Sequence, residues 1–413
     1  MKKEVLGLLR GIDDAIFDNI GPIRLLFVIR NNIGYGCLIP LIRKTIEDGH
    51  FKVAVTLEHD GCFDFPNDEE SQIIKRKFFI TTKRALYKKW HYALFTDRTN
   101  LYFRRHVTMV CTSHGVGFGN LDSIGNSQDY WTRMAQAVNM SLIFCNSEAS
   151  REVLPNDSAN KDRCYLVTGM AKTDGIVNSK LDGIERKKTN ECLKLRQGFK
   201  NVVIFSHWTE KSLLANFNAG DIERFCLKFP EYNFIIMGHQ LLWKSHDGSD
   251  RKNRLFDELK KLEQTHMNFS FVPGLSKTTG LLKIADFFIG DHSSFYIEAC
   301  LTNKPIYFYD QPDFKFLMPE VGARFKNCAI NFSSPSELIK KFSQNKDEPD
   351  SYEDNRKEVV DYFLYQLNFA TNYIVKSLKE MGRSSGPESK SWNQVKSYCE
   401  VERKKDREEQ LRV

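Results

Sequence analysis

Residues 285–310 read ADFFIGDHSSFYIEACLTNKPIYFYD. An apolar, aromatic run stops at Asp291-His292-Ser293-Ser294, a helix-compatible stretch carrying Glu298 follows, and Lys304-Pro305 opens a second apolar run. This pattern predicts a buried strand, a helix and another strand. The same grammar extends outward in both directions. Residues 23–30 lead into IGYG, then CLIPLIRKTIEDGH and FKVAVTLE, which reads as strand, glycine turn, helix and strand. Short β-branched or aromatic runs closed by Gly, Ser, Asn, Asp or His recur at 107–115, 141–147, 163–169, 201–207, 232–239 and 267–274. Near-continuous apolar strands alternating with helices predict an α/β fold whose parallel sheets are covered on both faces.

Single cores stop growing near ~250–300 residues, so a chain of 413 residues predicts two domains. The polar, charged gap at 174–201 puts the boundary near 185, giving an N-terminal domain at 1–185 and a second at 186–385. After Tyr352 the spacing turns helical, RSSGPESKS breaks it, and 386–413 reads as a charged tail, a solvated helix or a disordered end. With 12% aromatic residues and only 24 Gly and 12 Pro, the composition excludes disordered and collagen-like classes.

Ten cysteines are scattered, with no two closer than Cys145 and Cys164, so neither a metal knuckle nor a disulfide framework is visible. They read as reduced thiols of a cytosolic protein. The opening MKKEVLGLLRGIDD has an apolar run too short for a signal peptide, and no window reaches the ~18–20 apolar residues of a spanning helix. The net charge of +7 is modest, but it is unevenly spread. Between Gln72 and His106 stand ten Lys or Arg, among them Lys88, Lys89, Arg104 and Arg105, with the single acid Asp97 and interleaved aromatics. Such a segment, 72–106, can track a phosphate polymer, stack bases or lie on anionic headgroups; it can equally be a solvated basic face with its aromatics in the core.

Ligands of α/β sheets collect outside the carboxyl ends of the strands. Four expected strand ends carry a histidine: His114 in TSHGVGFGN, His207 in FSHWTE, His239 in MGHQ and His292 in GDHSS. One crevice between two sheets would gather them. Ser293 and Ser294 fall where backbone N–H groups and a helix dipole meet an anion, unless they cap an ordinary helix. Glu298, one turn in, reads either as a ribose contact or as a solvated helix residue. His114 precedes Gly115, Gly117 and Gly119, a turn through which backbone can approach a ligand while imidazole takes a proton.

Taken together, these motifs resemble the CDP-glycerol glycerophosphotransferases, the teichoic-acid primase and polymerase group with its related capsule-polymer transferases. The catalytic HG turn of that family is matched by His114-Gly115, and its G-x-P-R-x-D element by Gly169, Lys172 and Asp174. The strand ending in His-Pro is matched by His239, and the D-Y-S-S hallmark with its later Lys-Pro strand by 285–313, including Asp291, Ser293, Ser294 and Asp313. The chain departs from the pattern at several points. The family's Pro-Arg is Ala171-Lys172, its P-T-[WF]-R strand end is Ser206-His207-Trp208-Thr209, its His-Pro is His239-Gln240, and its Tyr before Ser-Ser is His292. Exchanging Arg for Lys keeps the charge and loses the bidentate fork.

The resemblance implies a GT-B architecture, two doubly wound Rossmann-like domains facing a cleft, with the acceptor in the N-terminal domain and the nucleotide donor in the other. It implies transfer of glycerol phosphate from CDP-glycerol to an acceptor hydroxyl with release of CMP. His114 would be the general base and His292 a second catalytic residue; Ser293 and Ser294 would hold the pyrophosphate, assisted by His239, His292 and His207, with Gly115, Gly169, Lys172, Asp174, Asp291, Glu298 and Asp313 as further substrate contacts. No Asp-x-Asp element stands out, so no obligatory metal or other cofactor is expected. The implied partners are a CDP-activated donor, a lipid-linked or saccharide acceptor and an anionic membrane surface, without nucleic acid. The implied location is cytoplasmic, peripheral on the inner face of a bacterial cell membrane. Two other readings remain open: a GT-B glycosyltransferase or sugar-phosphate transferase using CDP-ribitol or a UDP-sugar, and a non-catalytic protein that binds anionic polymers or membranes through 72–106.

Overall fold

The computed structural model describes residues 17, 20–96, 99–112, 140–152, 163–177, 183–243, 250–273, 278–316 and 318–410. The chain divides into two compact units, each built on its own six-stranded sheet. In the first, β1 (Ile23–Ile29), β2 (Phe51–Leu57), β3 (Tyr92–Phe95), β4 (Thr108–Cys111), β5 (Leu142–Cys145) and β6 (Cys164–Val167) run in the order β2-β1-β3-β4-β5-β6. Every ladder is parallel. Successive side chains on a strand point to opposite faces, and β1 shows the result. Leu25, Phe27 and Ile29 enter one apolar cluster while Leu26 and Val28 enter another. Both faces are therefore buried, which is why β1 reads as a continuous apolar run.

The second unit holds β7 (Lys200–Ser206), β8 (Tyr232–Gly238), β9 (Phe269–Val272), β10 (Phe287–Gly290), β11 (Ile306–Tyr309) and β12 (Ile330–Phe332). Their order is β12-β11-β10-β7-β8-β9, again parallel throughout. The chain winds from β7 outward through β8 to β9, then returns to the other side of β7 with β10. That reversal makes the carboxyl ends of β7 and β10 a topological switch point, where doubly wound sheets bind ligands.

Three expectations are corrected. The boundary lies between Asp174 and Gly175, not near 185. Residues from Leu364 onward also leave the second unit and complete the first. Helix Ala370–Met381 sends Ile374, Val375, Leu378 and Met381 into the first unit's core, and helix Trp392–Gln410 adds Trp392, Val395 and Cys399. The charged end is therefore anchored by one apolar edge and is not merely a tail. The return is fastened at several points: the Tyr365 N–H donates to the Asn146 carbonyl at 2.8 Å, and the Tyr92 hydroxyl to the Gly382 carbonyl at 2.9 Å. Lastly, IGYG is not a turn. Helix Asn32–Asp48 begins before it, with the Asn31 side chain accepting from the Gly34 N–H at 2.8 Å. Gly34 is needed for closeness, since a Cβ there would lie 2.7 Å from Thr96 Oγ1.

Candidate functional site

Three adjacent strands of the second sheet end in histidine. His207 follows β7, His239 follows β8, and His292 stands two residues beyond the end of β10. The His207 ring lies 4.9 Å from that of His292 and 5.9 Å from that of His239, centroid to centroid. The fourth expected histidine, His114, and its neighbour Gly115 lie outside the described residues.

The cluster is framed by Asp291, whose side chain is wholly buried. Its carboxylate accepts from Ser206 Oγ at 2.7 Å, from the His207 N–H at 2.9 and 3.1 Å, from the Leu213 N–H at 2.8 Å and from the Ser293 N–H at 3.1 Å. Burial pushes its pKa up, against the pull of His207 and these donors. Expected from the sequence as a substrate contact, Asp291 instead ties the end of β7 to the turn after β10. Gly290 permits this approach, because a Cβ there would fall 2.1 Å from the Phe205 ring.

Burial, helped by the like charges of His292 and His239 and opposed by Asp291, holds the His207 pKa down at about 3. Its Nδ1 lies 3.1 Å from Thr209 Oγ1, and that hydroxyl lies 3.0 Å from His292 Nε2. The His292 ring stacks on Phe314 with centroids 3.7 Å apart and planes 17° from parallel. Lys211 Nζ donates to the Asp313 carbonyl at 2.7 Å, so the loop after β7 is joined to the loop that carries Phe314. Asp313 itself is exposed.

Ser293 is buried and its Oγ accepts from the Phe295 N–H at 3.4 Å, whereas Ser294 is exposed and makes no capping bond. Ser294 is thus the serine presented to solvent at the start of helix Phe295–Cys300. Glu298 is buried and accepts from Thr278 Oγ1 at 3.2 Å, which excludes the solvated-residue reading. A set of imidazole donors and hydroxyls at a switch point can hold phosphoryl oxygens. Among the described residues, no group of three or more His, Cys, Asp or Glu is arranged to hold a metal ion.

In the first unit, Gly169, two residues past the end of β6, lies in the left-handed region at φ +77°. Asp174 uses both carboxylate oxygens on the start of helix Ala370–Met381, accepting from the Ala370 N–H at 3.2 Å and the Thr371 N–H at 2.7 Å. Burial pushes its pKa up. Lys172 sits half-buried in the single turn Ala171–Thr173.

The basic segment resolves into two kinds of aromatic. Trp90, Tyr92 and Phe95 are core residues, while Tyr87 and Tyr102 are 54% and 78% exposed. The Arg104 guanidinium lies 4.2 Å from the Tyr87 ring centre, and Lys89 Nζ lies 5.5 Å from that of Phe17. Partial burial, together with Arg84, Lys52 and Arg24, lowers the Lys88 pKa, so a cationic group is concentrated there. Arg105 is half-buried beside them. No helix among the described residues is long and apolar enough to cross a membrane.

Sequence reasoning missed Thr209, Lys211 and Phe314. Only Thr209, two residues beyond His207 in FSHWTE, carried a local signal.

No curated protein matches the sequence. Among solved structures, the wall teichoic acid polymerase TagF is similar with a TM-score of 0.63 at 15% identity, covering 87% of this chain and 89% of that one. A UDP-GlcNAc 2-epimerase from Neisseria meningitidis, bound to UDP-GlcNAc, gives 0.55 at 18% identity, covering 87% and 99%. At these identities the likeness is one of fold, and that fold is GT-B. Residues 53–379 match the family described as CDP-glycerol:poly(glycerophosphate) glycerophosphotransferase. That match takes in ten of the twelve strands and the whole histidine cluster, and on it the chain belongs to this glycerophosphotransferase family.

Proposed function

We propose that the protein transfers glycerol phosphate from CDP-glycerol to a hydroxyl of a lipid-linked or saccharide acceptor, releasing CMP, in teichoic-acid-like or capsule polymer synthesis. The reading rests on the family match over 53–379, which spans the histidine and serine cluster at the ends of β7, β8 and β10. The acceptor oxygen attacks the β-phosphorus, forming a new O–P bond while the bond to the bridging oxygen breaks and CMP departs with its electron pair. His114 takes the hydroxyl proton. Ser293, Ser294, His207, His239 and His292 hold the pyrophosphate, and Gly115, Gly169 and Lys172 line the acceptor side. Charge stabilisation and positioning are most of what such a transfer asks of a protein. Purified protein with CDP-glycerol and a panel of lipid-like and sugar acceptors should release CMP and give products heavier by one glycerol phosphate. Turnover only with a nucleotide sugar would reject this reading.

The His114→Ala variant should lose about a hundredfold or more in turnover, the usual worth of a positioned general base, with its unfolding midpoint unchanged. Full activity in that variant removes the proposed base.

The basic segment gives the acceptor a place to rest. A polyanion on a lipid would be retained by a cationic surface bearing exposed tyrosines at the inner face of the membrane. Reversing Lys88, Lys89, Arg104 and Arg105 to Glu should cut affinity for anionic vesicles more than tenfold at low salt, each near-surface charge being worth about 1 kcal/mol and a tenfold change about 1.4 kcal/mol. Unchanged recovery and acceptor affinity would end this role.

A further inference from the structure

At the ends of β7 and β10, the side chains of His207, Thr209 and His292 form one chain of contacts. Thr209 Oγ1 lies 3.1 Å from His207 Nδ1 and 3.0 Å from His292 Nε2. A hydroxyl has one proton, so it donates to one ring and accepts from the other.

The direction follows from a third contact. The Thr209 backbone N–H donates to His207 Nδ1 at 3.4 Å, and so that nitrogen carries a lone pair. The Thr209 hydroxyl therefore also donates to His207 Nδ1, and its oxygen accepts from the Nε2–H of His292. Neutral His207 must then carry its proton on Nε2. The surroundings keep it neutral. Around this pair stand Asp291, whose charge is spread over four donors, His239 on the β8 side, Trp208 beside His207, Phe314 stacked on His292, and Lys211 with its ammonium on the Asp313 carbonyl. Burial and the neighbouring imidazoles outweigh Asp291 and hold His207 at about 3.

We propose that Thr209 is a positioning residue that orders His292 and His207 into one directed hydrogen-bond chain, presenting the Nε2–H of neutral His207 to a phosphoryl oxygen of the nucleotide donor. The ordering stands on the geometry alone; the identity of the oxygen rests on the proposed function. An ordered N–H donor holds a phosphoryl oxygen without desolvating a protein charge when the donor substrate enters.

The test uses the full chain with ¹⁵N-labelled histidine, comparing wild type with Thr209→Val and Thr209→Ser. His207 is assigned through its disappearance in His207→Gln. In wild type, long-range proton–nitrogen spectra should show His207 and His292 as Nε2–H tautomers, His207 staying neutral from pH 8 down to 5. Thr209→Ser should keep that pattern. Thr209→Val should give mixed tautomers and lower kcat for CMP release about tenfold, the usual weight of one neutral hydrogen bond, with KM for CDP-glycerol within twofold. A protonated His207 at pH 7, an Nδ1–H tautomer in wild type, or unchanged tautomers in Thr209→Val would overturn the chain of hydrogen bonds. No turnover by wild type with any CDP-alcohol would overturn the functional reading and the phosphoryl assignment, while the tautomers decide the ordering separately.

Discussion

Gly169→Ala should unfold the attachment of the C-terminal helices and destabilise the first unit by about 3–5 kcal/mol, adding left-handed strain for a residue with a side chain to overpacking against backbone. Gly169 holds φ +77°, and an added Cβ would lie 1.9 Å from the Tyr365 carbonyl oxygen and 3.1 Å from Ala370 Cβ. The first of these is a backbone atom, so no rotamer change relieves it. Moving residue 365 away would stretch its N–H bond to the Asn146 carbonyl, now 2.8 Å. It would also pull Ala370 and Thr371 from Asp174, which caps them at 3.2 and 2.7 Å. Hydrogen exchange should therefore accelerate first in 370–381. Cys164 and Cys399, both 6% exposed in the shared core, should become reactive to a thiol reagent. A variant within 1 kcal/mol of wild type in urea, with both thiols still protected, would show that the return of the chain is not held at this point.

This attachment marks where the sequence stops being readable. Ten strands declare themselves through continuous apolar runs, because parallel sheets bury both faces. The two that were missed, β3 and β12, are four and three residues long. β3 lies inside the basic segment, whose charges mask the fact that Tyr92, Ala93, Leu94 and Phe95 are all buried. Helical spacing in 370–381 shows that one face is apolar, but says nothing of which core that face meets. For 392–410 the surrounding charge hides Trp392, Val395 and Cys399, spaced three and four apart as a buried helix edge requires. At the candidate site the histidines are legible because they end strands. Thr209 and Lys211 are not, because their part depends on loops 83 and 102 residues apart in the chain meeting, and Phe314 is not because its partner His292 lies back across a helix and a strand. Asp291 was legible as a position and misread as a contact, since the sequence does not tell whether a carboxylate at a strand end faces outward or inward.

The inward-facing carboxylate leads to the second large effect. Asp291→Asn should cost the second unit about 4 kcal/mol, since each buried donor left without an acceptor costs about 1–3 kcal/mol. The change is nearly isosteric, so packing is not the cause. A carboxylate offers two oxygens that only accept, and here they take Ser206 Oγ and the N–H groups of His207, Leu213 and Ser293. An amide keeps one oxygen and turns two N–H groups toward donors that have nowhere else to go. Rotating the hydroxyl of Ser206 relieves one clash, but the Leu213 backbone N–H cannot rotate and would face the new amide, while the His207 N–H would keep only its 2.9 Å bond to the remaining oxygen. Because these bonds join the β7 end to the β10 turn, the loss should also loosen His207 and His292, and CMP release should fall by more than the unfolded fraction explains. Urea unfolding and turnover measured on the same preparation separate the two effects. Asp291→Ala should be no better than Asn, because it leaves all four donors unpaired beside a cavity. If the amide variant retains wild-type stability, the carboxylate is not what frames the site, and the histidines must be held by the turns alone.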